Sequence, residues 1–440
     1  MSDSWTPVHL ADIFTPGRGI SYSANDLKDA DGTGSPFITI KNFNKGGGFN
    51  HKGLKTYSGP DFPMQRLEPE ALLIANTDVT RDAEIIGAPL LVPALDERPL
   101  FSMDVNQLTP TGKLGYVDPR YIFFRLCIAD ARSHMQKVSA GSTVLHLNVK
   151  DALKFRFDLP PVSEQAKIAQ ILDTLDTQIQ KTEALIVKLE KIKEGLLHDL
   201  LTRGIDQNGQ LRPTPEQAPE LYKESALGLI PKEWICSEIE DLLDCPSRSG
   251  LYKPSTFHGR GAPMIQMGNI FSSEFVSFEK VGRVSVTPSE LEIFGLENGD
   301  LLFARRSLVL EGAGKASLVK DLPEPSTFES SIVRLRLRRN VISPYFAIAF
   351  LQSHFSYSNR RKFIRQVAVS GVSSADIRQF LCLVPPLGEQ QKITSCLGTS
   401  RSRIASERKT LAKLKKQKAG LMNDLLTGRV RVTPLLKDAV

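Results

Sequence analysis

Apolar positions along the 440-residue chain follow two rhythms. From Ile168 they recur by fours and threes, at Ile168, Leu172, Leu175, Ile179, Ile186, Leu189, Leu196 and Leu200, with Thr182 and Lys193 filling the intervening places. From Ile393 the same spacing gives Ile393, Leu397, Ile404, Leu411, Leu414, Leu421 and Leu425, with Ser400, Glu407 and Lys418 between them. Seams sustained over five heptads predict two long helices, each of about 40 residues and roughly 60 Å, paired in a coiled coil. Pro160–Pro161 and Pro385–Pro386 stop the preceding strands. Ser163 is the expected N-cap of the first helix, with Glu164 and Gln165 in its first turn. Elsewhere the rhythm is shorter. Stretches such as "PFITIKNF", "LLFARRSLV" and "SSIVRLRLR" predict strands, "NKGGGFN" predicts a turn, and "PRYIFFRLCIADARSHM" predicts a helix. These parts suit an α+β domain with a strongly curved sheet.

The two helical segments are one sequence written twice. At a constant offset of 225, about 19 of 47 positions are identical, among them Pro160–Pro161 with Pro385–Pro386, Glu164–Gln165 with Glu389–Gln390, and "DLLT" at both ends. The preceding segments are related more faintly. Trp5 and Trp234 are 229 apart, and at that offset "LEPEALLIANTDV" from Leu67 matches "LENGDLLFARRSLV" from Leu296. The chain is therefore read as a tandem duplication of a globular domain followed by a long helix. The expected segments are 1–158 and 233–383 (globular), 159–205 and 384–432 (helical), 206–232 (a polar, Pro- and Gly-rich surface linker) and 433–440 (a tail). Two-fold logic favours antiparallel pairing of the helices. Thr182 and Glu407 then interrupt the seam near its middle and are expected to help fix register.

Charge adds one point. The net charge of +7 is modest, but the second helix is strongly basic, which invites nucleic acid or an acidic partner. The N-terminus lacks a basic start followed by an apolar run, and no apolar stretch approaches the ~20 residues that span a bilayer, so a cytoplasmic location and no membrane partner are expected. Cys127, Cys236, Cys245, Cys382 and Cys396 form no CxxC pair and are read as reduced thiols, neither a zinc site nor a disulfide set. The seven histidines form no ligand pair. "EGAGKAS", Glu311 to Ser317, has Val309 where a P-loop needs its first glycine. "DPRY", from Asp118, differs by one residue from the Asp-Pro-Pro-Tyr of adenine methyltransferases, but no glycine-rich cofactor loop follows a strand, so it is read as a helix start. No metal, cofactor or catalytic residue is expected.

The "LPPxxEQxxI" start, the long Lys-rich heptad helix, the "GLxxDLLTG" close, the linker ending "LGLIPKEW" and the "GDLLFAR" stretch from Gly299 to Arg305 resemble the specificity subunit of Type I restriction-modification systems. The resemblance covers essentially the whole chain, and the duplicated order makes it specific. It implies two pseudo-repeated α/β target-recognition domains, 1–158 and 233–383, separated by two long helices in an antiparallel coiled coil. Each domain would read one half of a split double-stranded DNA target. The subunit would be non-catalytic, and would assemble with two methyltransferase and two restriction subunits that carry adenine methylation and endonuclease activity. In one departure, the first domain has "ALLIANTDV" where the second has "GDLLFARRSLV". The Gly-Asp turn and the Arg pair are absent there, so the resemblance carries no DNA role to that loop.

Base readout needs Arg, Lys, Asn and Gln presented from loops or edges into a groove. Residues in or beside Gly-rich or polar loops are the candidates. In the first domain they are Arg18, Tyr22, Lys41, Asn42, Lys45, Arg81, His146 and Asn148. In the second they are Arg248, Tyr252, Lys253, Arg260, Gln266, Asn269, Arg305 and Arg306. The cluster from Asn359 to Gln366, with Arg360, Arg361, Lys362 and Arg365, suits phosphate contacts or a basic helix face. A stiff spacer holding two readers would set the gap between half-sites, since successive major-groove faces recur about every 34–36 Å. Two alternatives stand beside this reading: a coiled-coil scaffold for protein partners, and an orphan specificity subunit with no active methyltransferase.

Overall fold

The structure is a computed structural model and describes residues 4–29, 33–271, 273–308, 312–365 and 370–437; Val309, Glu311 and Gln366, named above, lie outside them. The two heptad segments form continuous helices, Val162–Thr202 and Leu387–Leu426. Every seam position of both is buried or half-buried, the polar Thr182, Lys193, Ser400, Glu407 and Lys418 included. The chain divides into two compact units, unit 1 of Met1–Glu183 with Lys409–Val440, and unit 2 of Ala184–Arg408. Each long helix begins in one unit and ends in the other, so each unit holds the start of one helix and the end of its partner.

In unit 1 the pairing is antiparallel. Asp176 pairs with Lys418 (2.5 Å) and Glu183 with Lys415 (2.7 Å), so one chain number rises as the other falls. Ile168, Ala169 and Leu172 share a core with Leu421, Leu425, Leu426 and Val432. In unit 2, Leu196, Leu197, Leu200 and Leu201 pack with Ile393 and Leu397, and Glu190 meets Arg408 at 2.5 Å. The basic excess of the second helix is thus partly matched by the acids of the first. Thr182 and Glu407 do not act across the seam as expected. The Thr182 hydroxyl donates to the Gln178 carbonyl of its own helix (2.8 Å), and Glu407 accepts from Arg403 one turn away (3.1 Å). The polar bonds that cross are the flanking ion pairs.

The repeated Glu-Gln pair does more than cap. The first helix starts at Val162, one residue before Ser163, so Ser163 is not its N-cap. Gln165 is buried. Its Oε1 accepts from the Asp118 amide (2.9 Å) and its Nε2 donates to the Pro160 carbonyl (2.8 Å). Gln390 does the same in unit 2, accepting from the Ser343 amide (2.7 Å) and donating to the carbonyls of Pro385 (2.7 Å) and Val341 (3.0 Å). The glutamates reach the other way. Glu164 accepts from Arg431, just past the end of the second helix, with Nε at 3.0 Å and Nη2 also bonded. Glu389 accepts from Arg212 (Nη2, 3.0 Å), the Ile205 amide (2.7 Å) and the Trp234 indole (3.1 Å), all beyond the end of the first. Both helix ends turn on a left-handed glycine, Gly204 (φ +67°) and Gly428 (φ +72°). A Cβ on Gly204 would sit 2.1 Å from the Glu389 carboxylate, and one on Gly428 would sit 3.2 Å from the Trp5 ring. The "DLLT" close and the following glycine are therefore the other half of the junction that "EQ" begins.

The globular part of unit 1 is built of several small sheets, where one curved sheet was expected. A four-stranded sheet runs Phe14–Arg18, Val105–Pro110, Leu72–Ala75, Pro89–Leu91. Its strand Leu72–Ala75 is buried on both faces. Leu72 and Ile74 face the core shared with the long helices, while Leu73 and Ala75 face a second core with Phe43, Leu90 and Val105. A second sheet runs Leu27–Asp29, Lys55–Tyr57, Ser35–Ile38, Leu100–Phe101, and a third Ser139–Ala140, Leu145–Leu147, Thr77–Asp78. Strand Thr6–His9 pairs with Arg156–Leu159, directly before the long helix. The expected single helix from Pro119 is two, Pro119–Cys127 and Ala129–Lys137, broken at Ile128 by an extended backbone (ψ 162°). Asp118 caps the first by accepting from the Arg120 amide (2.9 Å), so "DPRY" is a helix start.

Unit 2 repeats this order. Arg248–Ser249, Ile332–Leu335, Leu301–Ala304 and Ala316–Leu318 form its four-stranded sheet, with Leu301 and Phe303 facing one core and Leu302 and Ala304 another. Gly282–Val284, His258–Ile265 and Thr327–Phe328 form the second sheet, Arg306–Ser307 pairs with Ser370–Gly371, and Ile235–Glu238 pairs with Leu381–Val384. The "GDLLFAR" stretch is structural at its start. Gly299 adopts φ +99°, and Asp300 is fully buried, bonded to the Glu297 amide (2.8 Å) and bidentately to Arg336. Unit 1 keeps the turn without the glycine, because Glu70 takes φ +63° in its place and Ala71 replaces the aspartate. The linker is folded. Tyr222–Ser225 and Gly228–Pro231 make a hairpin whose Tyr222 and Ile230 are buried, because the polar stretch also contains an apolar alternation. Among the described residues no helix is long and apolar enough to cross a membrane.

Replacing Glu389 with alanine leaves the half-buried Arg212 with only the exposed Glu233 and strips the buried Ile205 amide and Trp234 indole of their acceptor, and is expected to cost about 3–5 kcal/mol. Arg408→Ala, at an exposed pair, is expected to cost at most about 1 kcal/mol. Urea unfolding of both variants tests the contrast. Burial works against the charged form of Glu164, but pairing with Arg431 outweighs it and holds the carboxyl below the usual carboxylate range. That pairing therefore contributes stability above the unfolded value of about 4.3, and the contribution is lost as pH falls through the lower folded value. Acid unfolding of a Glu164→Gln variant should lack this part of the pH dependence.

Candidate nucleic-acid interface

The strand register places the candidates in a few groups. In unit 1, Thr77 lies opposite His146, and Asn148 follows two residues later, where it caps the helix Val149–Ala152 and bonds Asp151. The loop after Thr77–Asp78 carries the exposed Arg81. It is held from below by Asp78, a buried carboxylate that accepts from the amides of Thr80 (2.6 Å), Ile85 (2.6 Å) and Ile86 (2.7 Å). Burial raises the Asp78 pKa, but these bonds outweigh it and hold the carboxyl below its ordinary value. Lys45 joins this group, since it pairs with Glu84 (2.5 Å) while the Gly46 amide donates to the Glu84 carbonyl (3.1 Å).

Lys41 is exposed on the loop before, but Asn42 is fully buried. Its Oδ1 accepts from the Thr39 amide and its Nδ2 donates to the Asn50 carbonyl, so it shapes the loop from inside. Arg18 donates to the Met103 carbonyl (3.0 Å), and Tyr22 packs edge-on against Phe37 (5.2 Å between centroids) with its pKa raised by burial and by Asp104.

In unit 2, Arg305, Arg306 and Arg365 come together at one cleft of about 230 Å³, with Gly371, Val372, Ser373 and Asp376 as its other walls. Tyr252 is 78% exposed. Lys253 pairs with Glu290 (2.6 Å) over the Phe257 ring, Arg248 lies over Phe294, and Arg260 is exposed in the bulged first half of His258–Ile265. Gln266 is exposed beside Asn269, whose side chain is committed to the Gln266 amide and the Glu279 carbonyl. The basic cluster divides. Arg361, Lys362 and Arg365 are exposed, whereas Arg360 is buried, donates to the Gly314 carbonyl (2.6 Å) and is pushed by burial down to about 10. Arg360 thus belongs to the interior of its unit.

Two exposed aliphatic residues were not among the candidates. Val79 is 63% exposed in unit 1, and Leu308 is 89% exposed in unit 2. The offset of 229 already aligns them in the sequence. Asp78 was also missed, because its role depends on amides up to eight residues further on.

The sequence profile of the family described as Type I restriction modification DNA specificity domain matches residues 85–191 and 231–416, and the chain belongs to this family, the specificity subunits of Type I restriction-modification systems. It is similar to the specificity subunit of the Type I restriction enzyme MjaVIII of Methanocaldococcus jannaschii, 25% identical over 346 residues that cover 78% of this chain and 76% of the relative. It is also similar to the EcoKI specificity subunit of Escherichia coli, 26% identical over 267 residues covering 60% of this chain and 54% of that one. The crystal structure of the Type I restriction-modification S subunit from M. genitalium shares the fold, with a TM-score of 0.56, 13% identity and 96% of each chain covered.

Replacing Arg361 or Lys362 with alanine is expected to weaken DNA binding evenly across sequences. The slope of log K against log salt should fall by about 0.9 for each phosphate that is no longer neutralised. Titrations of the assembled protein at several salt concentrations read this.

Proposed function

We propose that the chain is the non-catalytic sequence reader of a Type I restriction-modification complex. Residues 1–158 and 233–383 each recognise one half of a split double-stranded DNA target. Segments 159–205 and 384–432 space the two readers and carry two methyltransferase and two restriction subunits, which supply adenine methylation and cleavage. One observation carries the reading: both units repeat one order of elements around the same helix junction, while the residues on the loops and short strand edges differ between them. A duplicated fold with kept cores and changed edges is what two readers of different sequences require, since base discrimination comes from side chains at the groove and not from the scaffold. Lysines left exposed on the two helices, Lys188, Lys191, Lys413 and Lys416, offer a surface for partner subunits.

The helices also act as the ruler. Inserting one heptad into each adds about 10.5 Å of helix, close to 3 base pairs of duplex. The expected result is methylation of the same two half-sites with a gap about 3 base pairs longer. An unchanged gap, or altered half-sites, would contradict the reading.

A further inference from the structure

The inference rests on the proposed DNA-reading role and concerns one corner of each unit. In unit 2 the corner is made by the strand pair Arg306–Ser307 and Ser370–Gly371. Three arginines line its cleft, and among the described residues none of Arg305, Arg306 and Arg365 lies within ion-pair distance of a carboxylate. Other arginines of the same unit do pair: Arg212, Arg283 and Arg336 all meet acids at 3.3 Å or less. The one acid in the cleft, Asp376, bonds the Ser373 amide (2.9 Å) and hydroxyl (2.6 Å) at the start of a short helix and attracts Arg365 without forming an ion pair. The Arg305 Nε is buried and has no hydrogen-bond partner among the described residues. An unpaired buried donor is costly, and a ligand that accepts a hydrogen bond removes the cost.

Leu308 follows directly, at 89% exposure. A large aliphatic side chain beside three arginines that form no ion pair is a poor arrangement for phosphate, which offers only charge and oxygen. It suits the floor of the major groove, where guanine presents two acceptors to a guanidinium and thymine presents a methyl group.

Unit 1 supplies an internal comparison. At the offset of 229, Asn76 stands where unit 2 has Arg305, Thr77 where it has Arg306, and Val79 where it has Leu308. The strand Thr77–Asp78 pairs with Leu145–Leu147, as Arg306–Ser307 pairs with Ser370–Gly371. The exposed aliphatic tip is kept, at 63% in Val79. So is the orphaned buried polar atom, here the Asn76 Oδ1. Arg305 and Arg306 are replaced by an amide and a hydroxyl, and His146 stands opposite Thr77 where Gly371 stands opposite Arg306. The same corner thus retains its shape and its unmet hydrogen bond while its chemistry changes.

We infer that this corner is a base-reading element of each unit, and that in unit 2 it takes guanine through its arginines, with Leu308 against the adjoining base edge. Arg306→Ala, Arg306→Lys, Arg365→Ala and Leu308→Ala, introduced at the native gene, test it by long-read mapping of methyladenine, with thermal melting as the check on folding. The expected result is that one half-site alone relaxes. Guanine at a position in that half loses its advantage over other bases by about tenfold or more with either alanine replacement of arginine. Arg306→Lys relaxes it as well, because a lysine keeps the charge but not the bidentate fork. The second half-site and the gap stay as they were. Uniform weakening across all sites, restored by lysine, would make the cleft a phosphate contact and overturn the guanine assignment. So would a half-site whose guanines all remain required. Each of these results leaves the DNA-reading role standing, whereas a wild-type chain that directs methylation to no split motif would remove that role and the inference with it.

Discussion

A buried carboxylate at the start of each long helix, held by an arginine beyond the end of the antiparallel partner, is the constraint on which the architecture rests. Glu164 with Arg431 and Glu389 with Arg212 do the same work in the two units. A heptad seam alone leaves register open to a slip of three or four residues, since leucines meet leucines again after each turn. A slip of one turn moves these carboxylates about 5.4 Å from their partners and buries an unpaired charge. The junction therefore turns a pair of long apolar stripes into a coil of one length. It also ties the adjoining β-strands and the capped helices to the coil, through the neighbouring Gln165 and Gln390.

The arrangement separates what is shared from what is free to vary. Both units repeat the double-faced central strand, the turn before it and the short strand pair at its far end. The turn persists even where Glu70 must take the backbone of a glycine. Charges on the helices are partly spent on each other, as in Asp176 with Lys418 and Glu190 with Arg408, so the basic excess of the second helix is in part a pairing device. Among the described residues of unit 2, the arginines of one cleft form no ion pair, while the matching corner of unit 1 has an amide and a hydroxyl in place of Arg305 and Arg306. Those edges are where the two copies have diverged in chemistry without diverging in shape.

The helices and the duplication were legible because they rest on local periodicity and on self-comparison. Each seam position is buried or half-buried, since a heptad stripe determines which face is covered. The Glu-Gln pair was read as a first-turn feature because its partners lie 47 residues away for Gln165 and 267 for Glu164, beyond any local rule. The linker hairpin and the break at Ile128 escaped for related reasons: polar composition hid a short alternation, and a helical pattern does not reveal an extended residue inside it. Candidate residues were chosen by loop context, which does not report burial. Asn42 and Arg360 accordingly proved to be interior groups, and Arg305, Arg306 and Arg365 converge only because Ser370–Gly371 returns to pair with Arg306–Ser307. Val79 and Leu308 were visible in the aligned halves, but only exposure distinguishes a tip from a core aliphatic.

The most direct measurement is long-read mapping of methyladenine in the host genome with this gene intact and with it deleted. The account predicts loss of methylation at one split motif on deletion, with both half-sites and the gap revealed together. A methylome that is the same with and without the gene would contradict it.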